Sequence, residues 1–179
     1  TLKQLSRVCA DLEKTEDSVI FGSGMAAISS AIASTLKSGD HIVAQSNLYA
    51  TTIKYLQDVL PQFGITTTFV DQTSNIAFEK AIKKNTKLIY VETPSNPLMK
   101  ITDLEFIGKL CKKKKLISLI DNTFASPINQ NPADFGIDVI IHSATKYLGG
   151  HSDVLAGVVC GTKNFIYKCW DYGHVIGHV

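Results

Sequence analysis

The sequence predicts an α/β domain of three layers built on a mostly parallel sheet. Three observations carry this prediction. Short apolar runs alternate with amphipathic helix-like segments along almost the whole chain. Most of those runs are apolar on both sides, as in strands covered by helices on both faces. The polar motifs follow the ends of the runs, where open α/β sheets bind ligands.

The strand candidates, in order, are Ser18–Phe21, His41–Ala44, Thr66–Val70, Leu88–Val91, Ile117–Ile120, Val139–His142 and Val154–Cys160. Between them lie amphipathic segments of about three to four turns. In the first, Met25, Ile28, Ile32 and Leu36 share a face, and Ser38-Gly39-Asp40 ends it. Thr102-Asp-Leu-Glu105 has the form of a capping box, opening a helix with an apolar stripe of Leu104, Ile107, Leu110 and Cys111. The basic run Lys112–Lys115 closes the same segment, where cations favour a helix dipole. No internal repeat, low-complexity tract or Gly/Ser linker divides the chain, so one domain is expected.

The 179 residues suffice for one large domain with its own core. A hydrophobic content of 45% and a charged content of 19% are those of a soluble globular protein. A net charge of +2 gives no reason to expect nucleic acid. The cysteines at 9, 111, 160 and 169 form no C-x-x-C pair and read as reduced, mostly buried thiols of a cytosolic-type protein. No apolar run approaches the roughly 18 residues of a membrane helix, and none reads as a signal peptide. Both ends, Thr1 and Val179, look cut, so targeting information is expected to lie elsewhere.

Four motifs follow strand ends. Gly22-Ser-Gly-Met25 joins the first strand to a helix start, where free N–H groups and the dipole favour a phosphate. It lacks the Lys-Ser/Thr of a nucleotide P-loop, and Ala27 stands where Gly-x-Gly-x-x-Gly needs its last glycine. Alone it is either a tight turn or an anion site. Asp121 ends the apolar strand Leu116-Ile-Ser-Leu-Ile120, where a carboxylate needs a strong partner to offset desolvation. A protonated pyridine nitrogen would serve, and so would the cap of the next turn. Asn122 and Thr123 stand beside it to orient the carboxylate or meet a ligand.

The run His142-Ser-Ala-Thr-Lys-Tyr-Leu-Gly-Gly-His-Ser-Asp153 is the most informative. It leaves the segment Ile137-Asp-Val-Ile-Ile-His142 and sets two hydroxyls, Ser143 and Thr145, beside Lys146. Such hydroxyls can hold an anion while the amine attacks a carbonyl, which points to pyridoxal 5′-phosphate (PLP). Tyr49, in Ser46-Asn-Leu-Tyr-Ala-Thr-Thr52, offers a flat face and a phenol, or is simply an exposed loop residue. Glu92, after the fourth strand, and Asp153 supply either support to a site or satisfied loop carboxylates. His142 and His151 are expected to make structural hydrogen bonds around the lysine loop. His174 and His178 are spaced i,i+4, but no third ligand is in the sequence pattern and Gly173 and Gly177 argue against a continuous helix, so no metal is expected.

Taken in order, these motifs resemble the Cys/Met-metabolism PLP-dependent enzymes of the aspartate-aminotransferase-like fold (PLP fold type I). The matching stretches are Ser23-Gly-Met-Ala-Ala27, Gly39-Asp-His41, Leu48-Tyr49, Glu92-Thr-Pro-Ser-Asn-Pro97, Asp121-Asn-Thr-Phe124 and Ser143-Ala-Thr-Lys-Tyr147 with Gly150-His-Ser-Asp153. The resemblance runs from about Leu12 to Gly161. It implies that Lys146 is the Schiff-base lysine and proton shuttle, and that Asp121 pairs with the pyridine nitrogen. It further implies that Gly24, Met25, Ser143 and Thr145 hold the phosphate. Tyr49 would stack on the ring and assist proton transfer, and Asn96 would approach the phenolic oxygen; Thr123, from its place beside Asp121, is expected to contact the cofactor as well. No metal site is implied. Ala50 and Thr51 depart from the Gly-Gly of many members, and Lys54 stands where some carry Arg.

The resemblance implies γ-elimination or γ-replacement on a small sulfur amino acid, as cystathionine γ-synthase or γ-lyase. Methionine γ-lyase, cystathionine β-lyase and O-acylhomoserine sulfhydrylase are alternatives, and an inactive fragment or partner subunit is the alternative of another class. Residues 1–179 would form the PLP-binding large domain, without the family's N-terminal arm and C-terminal small domain. The full-length protein is expected to be cytoplasmic and to assemble as a homo-oligomeric dimer of dimers, with no nucleic-acid or membrane partner.

Overall fold

The computed structural model describes Thr1–Val179. The strands are β1 (Asp17–Phe21), β2 (His41–Gln45), β3 (Thr66–Val70), β4 (Thr86–Glu92), β5 (Ile117–Asp121), β6 (Val139–Ser143) and β7 (Gly157–Gly161). The helices are α1 (Leu2–Leu12), α2 (Gly24–Ala33), α3 (Ala50–Lys54), α4 (Asn75–Ala81), α5 (Leu104–Lys114), α6 (Ser126–Asn129) and α7 (Lys163–Ile176). All seven strands join one sheet in the order β1-β7-β6-β5-β4-β2-β3. β2, β3, β4, β5 and β6 pair in parallel, and β7 is antiparallel to both its neighbours. β7 therefore runs against the other six, and the carboxyl ends of those six share one edge.

The two faces of the sheet are covered by separate apolar layers. Leu88, Tyr90, Leu119 and Ile141 pack with Ile28 and Ile32 of α2 on one face. Ile89, Val91, Ile120 and Ile140 pack with Ile107 and Leu110 of α5 and Phe78 of α4 on the other. Residues 88 to 91 of β4 are fully buried on alternating sides. Each such side chain contributes roughly 1.5–3 kcal/mol relative to exposure. This is why the central runs are apolar throughout rather than alternating. The three-layer α/β reading holds, and all four cysteines are buried and free.

Several local expectations need correction. The expected capping box does not form: Asp103, not Thr102, is the N-cap of α5 and accepts from the N–H of Phe106, whose side chain cannot bond back, at 3.0 Å. Thr102 turns inward, donating its hydroxyl to Gln45 Oε1 (2.9 Å) and accepting nothing from α5. The last strand begins at Gly157 rather than Val154, because Val154 and Leu155 lie exposed on the loop leading into it. Helix α7 continues through Gly173, whose missing Cβ admits the ring of Phe21: a methyl there would lie 2.6 Å from Phe21 Cε1. It stops at Gly177, which caps it in the left-handed conformation at φ 80°. His174 stacks on Trp170, and His178 Nδ1 lies 2.8 Å from Ser30 Oγ, so the two imidazoles serve different contacts.

The helix α1 had no counterpart among the sequence expectations. Thr1 and Gln4 cap it reciprocally, and the chain after it sends Glu13 under the sheet. Glu13 Oε1 meets His142 Nε2 (2.5 Å) and accepts from Asn122 Nδ2 (2.8 Å), with Glu13 and His142 nearly fully buried. His142 thus ties the end of α1 to the sheet, not to the lysine loop, where His151 alone contacts backbone, at Gly149 O. No helix of the structure is long and apolar enough to cross a membrane.

Candidate active site

The carboxyl edge of the sheet surrounds a cavity of about 310 Å³. Every residue singled out for cofactor or catalysis lines it: Gly24, Met25, Tyr49, Asn96, Asp121, Thr123, Ser143, Thr145 and Lys146. They arrive from the ends of β1, β2, β4, β5 and β6, so residues separated by more than a hundred positions meet because parallel strands end together.

At one wall the chain turns from β1 into α2. Ser23 caps the helix, its hydroxyl accepting from Ala26 N at 3.0 Å. The first N–H groups of a helix lack intrahelical partners, and here those of Gly24 and Met25 stand beside the cavity. Gly24 lies so close to β6 that a Cβ would sit 2.8 Å from Ser143 Cβ and 2.9 Å from its Oγ. Only glycine allows this approach, and it brings the helix terminus and the Ser143 hydroxyl to the same spot. Ser143 Oγ has no protein partner. Thr145 is different: its hydroxyl donates to Ala156 O (3.2 Å) and accepts from Ala156 N (3.1 Å), closing the loop between β6 and β7.

Asp121 forms the floor. One oxygen, Oδ1, accepts from both the backbone N–H (3.0 Å) and the hydroxyl (2.5 Å) of Thr123. Thr123 Oγ1 in turn accepts from Ser143 N at 2.8 Å, so the threonine couples β5 to β6. The other oxygen of Asp121 has no protein partner. Burial raises the carboxyl above its ordinary range, against the two Thr123 bonds, which lower it. An open oxygen on a buried carboxylate is a place for a cation or an N–H donor.

Glu92 is the group the sequence left unassigned. It is 4% exposed and stands in register with Asp121 across β4 and β5. Its Oε2 accepts from the Tyr49 backbone N–H (2.9 Å) and its Oε1 from the Asn96 backbone N–H (2.7 Å). Burial first, and the neighbouring Asp121 charge second, push its carboxyl up to about 7. The signal for it in the sequence was only a carboxylate ending an apolar strand, the same signal as Asp121. What separates them is which N–H groups fold over each. Phe124, Ile28 and Leu155 add apolar wall, and Tyr147 packs beside Phe124 with ring centroids 6.5 Å apart. Lys146 lines the cavity with its amine unpaired by any carboxylate.

Comparison with known proteins bears on this geometry. A family model for the Cys/Met-metabolism PLP-dependent enzymes matches residues 1–178. The chain is 47% identical to the cystathionine gamma-lyase of Bacillus subtilis, over 89% of this chain and 42% of that one. It is 44% identical to an L-methionine gamma-lyase of Fusobacterium nucleatum, over 89% of this chain and 40% of the relative. Among solved structures, that of metB from Corynebacterium glutamicum superposes with a TM-score of 0.95 at 39% identity, covering 98% of this chain and 46% of that one. Cystathionine gamma-lyase from Lactobacillus plantarum, complexed with L-serine, gives 0.91 at 43% identity, covering 95% and 45%. The chain belongs to the Cys/Met-metabolism PLP-dependent enzymes, with their type I fold and their cofactor, PLP. It spans less than half the length of each of these four proteins.

Proposed function

From this membership we propose that the chain is the cofactor-binding large domain of a PLP-dependent enzyme of sulfur amino-acid metabolism. The reaction would be γ-elimination or γ-replacement of the cystathionine γ-lyase or γ-synthase kind, on a small amino acid carrying sulfur or an activated oxygen at its γ carbon. Methionine γ-lyase and cystathionine β-lyase chemistry use the same domain and differ in substrate contacts. One observation supports the reading most: an unpaired lysine amine, an open carboxylate oxygen, a free serine hydroxyl and a helix N-terminus converge on one cavity.

These groups match the chemical parts of PLP. The N–H groups of Gly24 and Met25, with the Ser143 hydroxyl, suit the phosphate dianion. The open oxygen of Asp121 suits a protonated pyridine nitrogen, and Thr123 keeps that oxygen aimed by holding the other. Tyr49, 44% exposed at the head of α3, suits a ring face, and Asn96 suits the phenolic oxygen. Thr145 would shape the loop carrying Lys146 through Ala156 and reach the phosphate only by giving up that contact.

The bound cofactor supplies an electron sink that acidifies the substrate's α-hydrogen. The chain's own residues do the rest. Lys146 would hold the cofactor through its amine, and the same amine could move a proton on the side of the cavity that it faces. Asp121 keeps the ring nitrogen protonated. The Tyr49 phenol, at the wall of the same cavity, would be a proton donor for a leaving group. Phe124, Ile28 and Leu155 exclude water from one side.

The test uses the intact protein incubated with PLP and reduced with borohydride, followed by peptide mass mapping. The added mass should fall on Lys146 and vanish in Lys146→Ala. Addition elsewhere, or equal addition to the variant, would sink the assignment. Product assays on cystathionine, methionine and O-acylhomoserines then choose among the reactions. Absence of turnover on all of them would favour an inactive partner subunit. The homo-oligomeric dimer of dimers and cytoplasmic location expected of the family are part of the same proposal.

A further inference from the structure

We propose that Glu92 is a positioning residue of the PLP cavity: its carboxylate clamps the two loops that present Tyr49 and Asn96, and it releases a proton when a cation settles against Asp121. This rests on the PLP reading above and adds a residue to which that reading assigns no role.

The clamp follows from the bonding pattern. Tyr49 opens α3 after β2, and Asn96 lies in the loop after β4. Glu92 bonds one backbone N–H on each segment, with a different oxygen for each, directly at Tyr49 and Asn96. Gln45, bonded to Asn47 O and the Thr102 hydroxyl, and Gln72, between Asn47 and Ser95, tie the same segments at other residues. The backbone that carries the carboxylate is fixed in turn. Buried Gln45 donates to Glu92 O (2.7 Å) and accepts from Glu92 N (3.1 Å), and its Oε1 also takes the Thr102 hydroxyl. A carboxylate accepts twice and donates nothing, so it alone satisfies two N–H groups. A carboxamide turns one of its ends into a donor and faces N–H with N–H.

The proton follows from the neighbours. Asp121 of β5 stands beside Glu92 in register, and Tyr90 of β4 lies beneath both. Tyr49 at the head of α3 and Lys146 beyond β6 face the same cavity. His142 of β6 points to the opposite face of the sheet, paired with Glu13, and lowers Asp121 from there. Two carboxylates buried in register, with no cation bonded to either, both hold their protons more tightly than free ones, and Glu92 is pushed up to about 7. A pyridinium against Asp121 neutralises the charge that holds the proton on Glu92, and the proton leaves to solvent.

The experiment measures PLP binding to the cofactor-free intact protein at pH 7, with released protons counted by an indicator dye in weakly buffered solution. Folding of each variant is checked by circular dichroism. Wild type should release about half a proton more than Glu92→Gln, because a group titrating near 7 is about half protonated there. That excess should vanish near pH 9. Glu92→Gln should bind PLP about tenfold more weakly, the scale of one mispaired buried bond. Glu92→Asp keeps the charge but shortens the reach, so it should release protons like wild type while binding more weakly. Equal proton counts in wild type and Glu92→Gln overturn the proton coupling, and equal affinity in all three overturns the clamp. If wild type takes up no PLP, the PLP reading itself falls.

Discussion

At the scale of single residues, the site depends on how two like charges are told apart. Asp121 and Glu92 both end apolar strands, and both are buried. Asp121 keeps one oxygen open to the cavity, whereas Glu92 has both oxygens occupied by backbone N–H groups. Asp121→Asn retains an acceptor for Thr123 but loses the anionic oxygen. It should weaken PLP binding about tenfold to a hundredfold by equilibrium dialysis, as for a charged hydrogen bond of about 1.5–3 kcal/mol. Unchanged affinity would remove Asp121 from its assigned role. Glu92 also predicts a pH dependence of folding in the cofactor-free protein. Its carboxyl lies at about 7 when folded and at 4.5 ordinarily. Between those values the unfolded chain holds fewer protons, so stability falls as pH rises through that window and is level above it. The fall attributable to Glu92 is up to about 3 kcal/mol by the shift in pKa. Urea midpoints from pH 4.5 to 8 should show a flatter slope in Glu92→Gln, and an identical slope would refute it.

Among the elements, what was legible in the sequence was the periodicity and what was not was the neighbour. The central strands lie within their expected runs because two-sided burial leaves a continuous apolar signature, whereas Thr66–Val70, an edge strand with only Val70 buried, matches its expected bounds through its β-branched residues. The helix start at 102–105 went wrong by one residue for a physical reason. Thr102 and Asp103 are both good caps, but Thr102 has a buried acceptor on Gln45 of β2, so Asp103 is left to cap α5. Asp103→Ala should therefore cost about 1 kcal/mol in thermal or urea unfolding without changing cofactor affinity. A loss no larger than a surface substitution would return the cap to Thr102. Helix α1 was legible in the sequence, since Leu2, Leu5, Val8, Cys9 and Leu12 recur at helical spacing on one face, although most of that face lies exposed. Helix α7 persisted through Gly173 because Phe21 of β1 fills the space a side chain would need.

For the molecule as a whole, one reversed strand organises the site. β7 runs against the other six, so the loop carrying Lys146 enters it from the same edge at which they end. Cofactor binding to such an edge should stabilise the entire sheet by linkage. Free PLP at about a hundred times its Kd should add about 2.7 kcal/mol to the intact protein, read as a rise of several degrees in Tm. Lys146→Ala keeps the phosphate and Asp121 contacts and should show a smaller rise. A Tm indifferent to PLP in wild type would contradict binding at this edge.

The sequence by itself determined the α/β class, the strand cores, and the set of residues around the cavity, Lys146 and Asp121 foremost. Those follow from local chemistry: burial patterns, residues that can hold a phosphate or an amine, and motifs at strand ends. Only the tertiary structure decided that Glu92 accepts from the N–H groups of Tyr49 and Asn96, that Thr145 is engaged by Ala156, and that His142 pairs with Glu13. Each depends on which strands are neighbours and in what register. A hydrogen bond between residues 43 or 129 positions apart leaves no trace in either residue's local sequence.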